Sequence, residues 1–363
     1  MARVIGIVPG TITIDLCGLD DGRVFLDRSI PTSEALASPA VIVGVLERAG
    51  PLDLIAGPSG YGLPLKAAKD LTDSDLRLAY LAAEGEPGGI RGLRALMRAL
   101  ASSSLPLVLT PGVIHLPSVP MHRKVNRVDM GTADKVGATA LAISEHAVRH
   151  RCTPADARFI LLELGGAFSA AIAVDEGRIV DGLGGSSGPI GVRAAGALDG
   201  EVAFLAGSIS KEMLFHGGVA TVAGMPEASI DDLAAASTAR AQIAWEAFVE
   251  NAVKAVASLT ASVPKVAEIV LSGRASRIAR VRDGLLQRLA TSLPNASVES
   301  LRGFASAASH AAQGAALIAD GLAGGSSAPL VERLAIREAA GTVLDHLHAI
   351  DAAAARARLG LTE

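Results

Sequence analysis

The sequence is poor in several features that define common functional classes. Only 3% of its 363 residues are aromatic, which disfavours the stacking surfaces that bind single-stranded nucleic acid. Its two cysteines, Cys17 and Cys152, are too few for a disulfide framework and lack the spacing of a metal site. No apolar run approaches the ~18 residues that a transmembrane helix needs. The sequence therefore predicts no nucleic-acid partner and no membrane span.

Charge and targeting signals are weak as well. The net charge of -4 gives no electrostatic reason to expect nucleic acid or an anionic membrane. Strand-like sequence begins by Val4, which leaves no room for a signal peptide, so we expect a cytoplasmic protein. The eight histidines show no metal-ligand spacing, and no site is assigned to them. Neither a Walker A sequence nor a dinucleotide fingerprint occurs.

A duplicated pattern is the strongest positive feature. Segments 3–30 and 157–183 each resemble three short antiparallel strands separated by glycine turns. A shift of 155 positions aligns Gly10 with Gly165 without a gap, and it also aligns the two acidic-Gly-Arg turns. Chance similarity between two hairpins is the alternative, but the matching strand lengths favour an internal duplication.

The rest of the chain alternates helical and strand patterns. We therefore expect an α/β protein with two domains, residues 1–152 and 153–363. Loops 56–65 and 182–191 either line a cleft or simply connect elements. The predicted helices are 33–48, 138–149, 231–262, 276–289 and 306–320, with one or two closing helices over 328–359. Apart from the strands of the two meanders, the predicted strands are 53–57, 268–271 and 297–300.

Two features suggest binding of an anion. A tight glycine turn lets backbone N–H groups approach a phosphate, and the turns at Gly10 and Gly165 are paired, although either alone fits a plain hairpin. The stretch 122–135 concentrates charged residues just before a predicted helix, whose N-terminus favours anions. The alternative for this stretch is a solvated loop followed by a capped helix.

These segments together resemble a known superfamily. The layout is similar to the acetate and sugar kinase, Hsp70 and actin superfamily, with two duplicated ribonuclease-H-like domains around a nucleotide cleft. Within it, the chain most resembles the butyrate kinase-like proteins of the domain of unknown function 1464 group. The resemblance rests on these stretches: GIVPGTITIDLCGLDDGRVFLDRSIPT, NRVDMGTADKVGATAL, LELGGAFSAAIAVDEGRIVDGLGGSSGPIG, VLSGRASRI and SHAAQGAALI.

The resemblance implies roles for particular residues. It implies ATP and Mg²⁺ as partners, with Glu163 as a metal-binding carboxylate. Asp129, or else Asp134, would orient a small-molecule acceptor, and Arg123 or Arg127 would balance charge on the transferred phosphoryl group. Related kinases form dimers, so we expect a homodimer. The residues that would bind the nucleotide are Gly10, Thr11, Gly165, Gly166, Ser272, Gly273 and Arg274, and Gly314 matches a glycine near the start of the last helix.

Val8 departs from the pattern of the superfamily. Asp or Asn usually stands two residues before the glycine of the first phosphate loop, and valine cannot orient a metal-bound water or a phosphate. Asp15 stands where kinases often carry lysine. The favoured function is an ATP-dependent carboxylate kinase. The alternatives are a nucleotide-binding pseudokinase that acts as a regulatory or assembly partner, and another ATP-using enzyme.

Overall fold

Each half of the chain builds its own β-sheet. The computed structural model describes residues 2–83, 85–86 and 92–361. Within those ranges the strands are β1 (Arg3–Pro9), β2 (Thr13–Asp20), β3 (Arg23–Pro31), β4 (Leu54–Pro58), β5 (Lys66–Ala67), β6 (Leu107–Thr110), β7 (Phe159–Leu164), β8 (Ser169–Asp175), β9 (Arg178–Leu183), β10 (Glu268–Ser272) and β11 (Ser297–Ser300). The sheets have the orders β3-β2-β1-β4-β6-β5 and β11-β10-β7-β8-β9, so the second repeats the first apart from the short β5.

Helices follow the meander in each half. In the same described ranges they are α1 (Thr32–Ala37), α2 (Ala40–Arg48), α3 (Asp73–Tyr80), α4 (Leu93–Ala101), α5 (Met121–Lys124), α6 (Ala133–His150), α7 (Gly200–Ala206), α8 (Val219–Val222), α9 (Ile230–Ala235), α10 (Ala239–Leu259), α11 (Ala279–Ser292), α12 (His310–Leu322), α13 (Ala328–Leu334) and α14 (Ala352–Arg358). Ser, Thr or Asp side chains cap α3, α7, α9, α10, α12 and α14 at their N-termini.

The two meanders match in detail, as the shift of 155 positions predicts. The ladder between the second and third strands is irregular at Gly18/Leu19 in the first meander and at Ala173/Val174 in the second. The following turns both place an acidic residue and a glycine at positive φ, Asp21-Gly22 and Glu176-Gly177. Because bulge and turn recur at equivalent positions in two separate sheets, the duplication is confirmed.

Helices pack on both faces of each sheet. Ile5 and Ile7 of β1 face α1, α2 and α4, whereas Val4 and Val8 face α12. In the second sheet, Leu161 and its neighbours face α6 and α13, and the opposite face packs on α10 and α11. Both faces are buried, which explains why these strands are continuous apolar runs.

The two central helices exchange sides. Helix α6 comes from the first half but packs on the second sheet, and α12 comes from the second half but packs on the first. They cross at Gly137 and Gly314, where a Cβ on Gly314 would overlap the carbonyl oxygen of Gly137. The packing contacts therefore do not separate into two groups between residues 152 and 153. The two-domain boundary expected there from the sequence stays a prediction.

Not every helix prediction matches the structure. The helix expected over 33–48 is two helices, because Ser38 and Pro39 interrupt it between α1 and α2. The segment 328–359 holds two short helices, within the one or two expected there, with 335–351 outside any helix, and Leu330, Leu334 and Val343 are buried as expected. No helix within the described ranges is long and apolar enough to cross a membrane.

Candidate functional site

A cleft of about 330 Å³ lies where the two hairpin turns approach each other. Ser272, at the end of β10, lines its extension towards α12. The lining also contains the other residues for which the resemblance implies nucleotide binding: Gly10, Thr11, Gly165, Gly166, Gly273 and Arg274. The structure thus brings these residues together, and their roles stay predictions.

The two turns have the same hydrogen bonding. The N–H of Gly10 donates to the Thr13 carbonyl at 2.8 Å, and the N–H of Gly165 donates to the Phe168 carbonyl at 2.9 Å. Within the described part of the chain, the next two N–H groups of each turn, at 11–12 and 166–167, donate no hydrogen bond. These residues line the cleft, so each turn offers backbone donors to an anion.

Gly273 directly follows β10 and has a backbone conformation that only glycine adopts readily. Its φ is +87°, and a Cβ there would overlap the Leu164 carbonyl oxygen and come within 2.8 Å of Glu163 Oε1. The backbone at 273 therefore lies directly against the second turn. Any side chain at this position would displace the strand that carries Glu163.

A buried ion cluster forms the floor of the cleft. Lys135 Nζ lies 2.7 Å from Asp134 Oδ2 and 2.8 Å from Glu163 Oε2. Burial alone would lower the pKa of Lys135, but the two carboxylates reverse this effect and raise it above the usual value. Glu163 Oε2 is buried and accepts no well-aligned hydrogen bond despite the ion pair. Lys135 therefore stays charged, and Glu163 keeps acceptor capacity towards the cleft.

Asp15 stands beside Val8 on the same face of the sheet. Val8 of β1 pairs with Asp15 of β2, and residues directly opposite in an antiparallel pair point to the same side. The equivalent pair in the second sheet is Glu163 and Ala170. Each hairpin therefore carries one carboxylate, on the first strand in one half and on the second strand in the other. Asp15 lines the cleft and is 7% exposed.

Asp129 lines the cleft, but its carboxylate is already engaged. Oδ2 accepts hydrogen bonds of 2.9 Å from both the N–H and the hydroxyl of Ser186, and Oδ1 accepts one of 3.2 Å from the N–H of Gly131. A Cβ on Gly184 would overlap Asp129 Oδ1. Asp129 thus anchors the glycine loop at 182–191 to the cleft, and its role towards an acceptor stays a prediction.

Lys211 is a cleft residue that the sequence reasoning missed. Its Nζ lies 4.7 Å from the centre of the Tyr61 ring, and Asp129 adds a favourable charge. Burial lowers the pKa of Lys211 to about 8. In the described part of the chain it makes no ion pair within 4.0 Å. The sequence around Lys211 has no strand or helix periodicity, so only the fold reveals that it reaches the cleft.

The two predicted arginines lie elsewhere. Arg123 donates to the Val180 carbonyl at 2.8 Å and lies 3.9 Å from Asp181, so its side chain packs along β9. Neither Arg123 nor Arg127 belongs to the lining of the cleft. Arg123 belongs to α5, and its contacts with β9 hold its side chain outside the cleft lining.

The loop before α12 is held by carboxylates of the chain itself. Asp27 accepts hydrogen bonds from the N–H groups of Ser306, Ala307 and Ala308 at 2.7–3.1 Å, and Asp15 accepts one from Ser309 at 3.3 Å. Burial would raise the pKa of Asp27, but these donors lower it. The amides of this loop are therefore occupied.

Asp27→Asn should weaken the fold at neutral pH by about 1 kcal/mol, because it replaces charge-assisted hydrogen bonds with neutral ones. Folding lowers the pKa of Asp27, so its contribution is complete above the ordinary value of 3.8 and is lost as the pH falls below it. Urea unfolding at pH 7, 5, 4 and 3 measures this, with exposed Asp70→Asn as control. A stability difference as large at pH 3 as at pH 7 would contradict the assignment.

The residues of the cleft fit a nucleotide with magnesium. The charged side chains of the lining are four carboxylates (Asp15, Asp129, Asp134 and Glu163) and three cations (Lys135, Lys211 and Arg274), so the cleft carries a net negative charge. A divalent cation balances that charge, and carboxylate oxygens are ligands that Mg²⁺ prefers. The unengaged N–H groups of the two turns suit phosphate oxygens.

The fold matches those of solved kinases. A propionate kinase from Francisella tularensis subsp. tularensis SCHU S4 shares 14% identity with a TM-score of 0.60, covering 86% of this chain and 99% of that one. Acetate kinases from Entamoeba histolytica and Porphyromonas gingivalis share 11% and 15% identity, with TM-scores of 0.57 and 0.55. The two matches cover 80% and 78% of this chain, and each covers 86% of the acetate kinase chain. At such identities the likeness shows the fold alone, and it confirms the predicted two-domain kinase-like architecture.

No curated protein matches the sequence. A family described as protein of unknown function (DUF1464) does match, over residues 6–349. This match spans both sheets, the cleft and both crossing helices, and therefore nearly all the features described above. The chain belongs to the DUF1464 family.

Proposed function

We propose that this protein transfers the γ-phosphoryl group of ATP to the carboxylate of a small organic acid, as a butyrate kinase-like enzyme. The observation that carries the proposal is the pairing of two glycine turns over a floor of carboxylates, with Lys211 in the lining of the same cleft. In such a reaction an acceptor oxygen bonds to the γ-phosphorus as ADP leaves.

Different residues of the chain act at the two ends of the cleft. Asp15 and Glu163 would hold the magnesium ion, which supplies charge neutralisation to the phosphates when bound. The turns at 11–12 and 166–167 position anionic oxygens through their N–H groups. Lys135 keeps the two neighbouring carboxylates in place, because moving either would leave a buried charge unpaired.

Around Lys211 the lining holds Tyr61 and Asp129, and much of the remaining lining is apolar. Such surroundings suit a short alkyl chain, and the ammonium group suits its carboxylate. The apolar side chains of the cleft lining include Ile12, Tyr80, Leu93, Phe168, Leu214 and Phe215. A sugar, with a hydroxyl on almost every carbon, would leave its hydroxyls without partners on this surface.

The pseudokinase alternative rests on Val8. Asp15 lies directly opposite Val8 and supplies a carboxylate to the same face of the first hairpin, which weakens that alternative. The homodimer and the cytoplasmic location expected from the sequence stay predictions.

Lys211→Gln should raise the KM for the acid by about tenfold or more, since a hydrogen bond to a charged group contributes ~1.5–3 kcal/mol. The KM for ATP should change little. Because the pKa of Lys211 is about 8, the wild-type KM for the acid should rise as the pH passes above 8 and the ammonium loses its proton. ADP release and trapping of the acyl phosphate with hydroxylamine measure this over acetate, propionate, butyrate and valerate.

Lys254→Gln on the surface is the matched control, and Lys211→Arg should keep most of the affinity. Phosphorylation of glucose but of no acid would refute the carboxylate proposal. Turnover of acids with an unchanged KM in Lys211→Gln would keep the reaction but reject the role of Lys211.

A further inference from the structure

A second group of candidate ligands lies outside the cleft. His146 and His150 are four residues apart near the end of α6, so they lie on one face of the helix. Glu268, the first residue of β10, packs against them. The expectation that the histidines lack metal-ligand spacing is therefore wrong for this pair, because two histidines four residues apart on a helix can share one ion, and Glu268 supplies a third ligand atom.

The three side chains converge on one point. His146 Nδ1 lies 2.6 Å and His150 Nε2 lies 3.3 Å from Glu268 Oε2, and all three atoms are within 4.8 Å of one another. Ligand bonds of about 2.0–2.2 Å in a tetrahedral site place the ligand atoms roughly 3.4 Å apart. Small rotations of these side chains therefore suffice to surround an ion.

The local charge also suits a cation. Arg149 pairs with Glu268 Oε1 and lies 2.9 Å from Glu145 Oε1, so one guanidinium group is shared by two carboxylates. With the histidines neutral, Glu145, Arg149 and Glu268 together carry one net negative charge. Glu268 Oε2 faces the imidazole nitrogens rather than Arg149. Glu268 is 2% exposed, which holds the carboxylate in one place.

The site is open on one side. The side chain of His150 is 49% exposed, whereas that of His146 is 11% exposed. An ion could therefore enter from solvent and complete its coordination with water. Two imidazole nitrogens and one carboxylate oxygen are a ligand set for zinc and similar transition metals rather than for Mg²⁺ or Ca²⁺.

We propose that His146, His150 and Glu268 bind a divalent transition-metal ion of the zinc type, at a site separate from the kinase-like cleft. The ion joins the last turns of α6 to the start of β10. The opposite end of α6 carries Asp134 and Lys135, and the opposite end of β10 carries Ser272, so the bound ion braces two elements that reach the cleft.

The test uses the full-length protein, stripped of metal by a chelator, and ZnCl₂ titrated in competition with a chromophoric chelator. We expect one Zn²⁺ per chain. His150→Ala should weaken the affinity of the protein for zinc by at least roughly 10–100-fold. Losses of that size already follow when only a side chain that supports a metal ligand is removed. His150 is half exposed, so this variant should fold, and circular dichroism verifies that. Zinc should raise the Tm of the wild type but not that of His150→Ala.

Two control variants make the result specific. His122→Ala removes an exposed histidine elsewhere and should bind zinc as the wild type does. Cys152→Ser tests the free cysteine two residues after His150, and it should also retain the site. Absence of stoichiometric zinc binding, binding unchanged in His150→Ala, or binding lost in Cys152→Ser would each overturn the proposal and leave the three residues as an ion-pair network.

Discussion

Asp15→Asn should lower single-turnover phosphoryl transfer by about 10²–10³, the loss that follows removal of one positioned electrostatic group. The carboxylate of Asp15 stands on the face of the first hairpin where Val8 leaves no polar group. The Ser29 hydroxyl donates to its Oδ1 at 2.6 Å, and the N–H of Ser309 donates to its Oδ2 at 3.3 Å. These contacts fix the carboxylate, so the variant should still bind ATP while it loses transfer rate.

A double variant that moves the carboxylate from one strand to the other makes this test more specific. Val8→Asp alone should not increase the rate, because it places a second carboxylate against Asp15 and opposite the alanines of α12. The double variant Val8→Asp/Asp15→Asn moves the acid from β2 to β1, where the second half carries Glu163, and should recover part of the lost rate. Ser29→Ala, which removes only a supporting donor, should lose less than Asp15→Asn.

ATP hydrolysis and acyl phosphate formation are measured in single turnover, and ATP affinity separately by calorimetry. Full transfer by Asp15→Asn together with loss in Glu163→Gln would assign the metal to Glu163 alone. Tight ATP binding without transfer in the wild type, with every acid tested, would favour the nucleotide-binding partner protein instead.

Gly314→Ala should lower the free energy of unfolding by about 3 kcal/mol, at the upper end of ordinary overpacking. A Cβ at this position would overlap the carbonyl oxygen of Gly137, which is helix backbone and cannot move aside like a side chain. The two central helices would have to separate, and both sheets rest on them.

Urea denaturation followed by far-UV circular dichroism measures this loss. Gly200→Ala is the control, because a Cβ there meets nothing within 4 Å. Equal stability of Gly314→Ala and wild type would mean that the helices cross farther apart than this contact requires. The resemblance matches Gly314 to a glycine near the start of the last helix, and in this structure the contacts of Gly314 are those of a helix crossing.

The sequence predicts the repeated meanders well, because glycine turns and strand alternation are local signals. The shift of 155 positions aligns Gly10 with Gly165, and their turns with each other, from the residues alone. The pairing of Val8 with Asp15 is also within reach of the sequence, since a hairpin that turns at Gly10 places them opposite each other. The sequence reasoning missed its consequence, which is that Asp15 can replace the absent acid.

Long-range contacts account for the rest. Lys211 reaches the cleft from a segment without periodicity, and Asp27 binds amides about 280 residues later in the chain. The resemblance implies a role for Arg123 at the site, but the direction of its side chain depends on how α5 packs along β9. No local pattern encodes these distances, so they follow only from the assembled fold.

The exchange of α6 and α12 gives the molecule an approximate two-fold symmetry. Each half contributes its helix to the other, and Gly137 and Gly314 meet near the axis, as equivalent residues do in an isologous dimer. The chain therefore resembles two protomers joined by a tether rather than two independent globules. Neither half has a complete core without the helix of the other, so both halves should unfold in one cooperative transition.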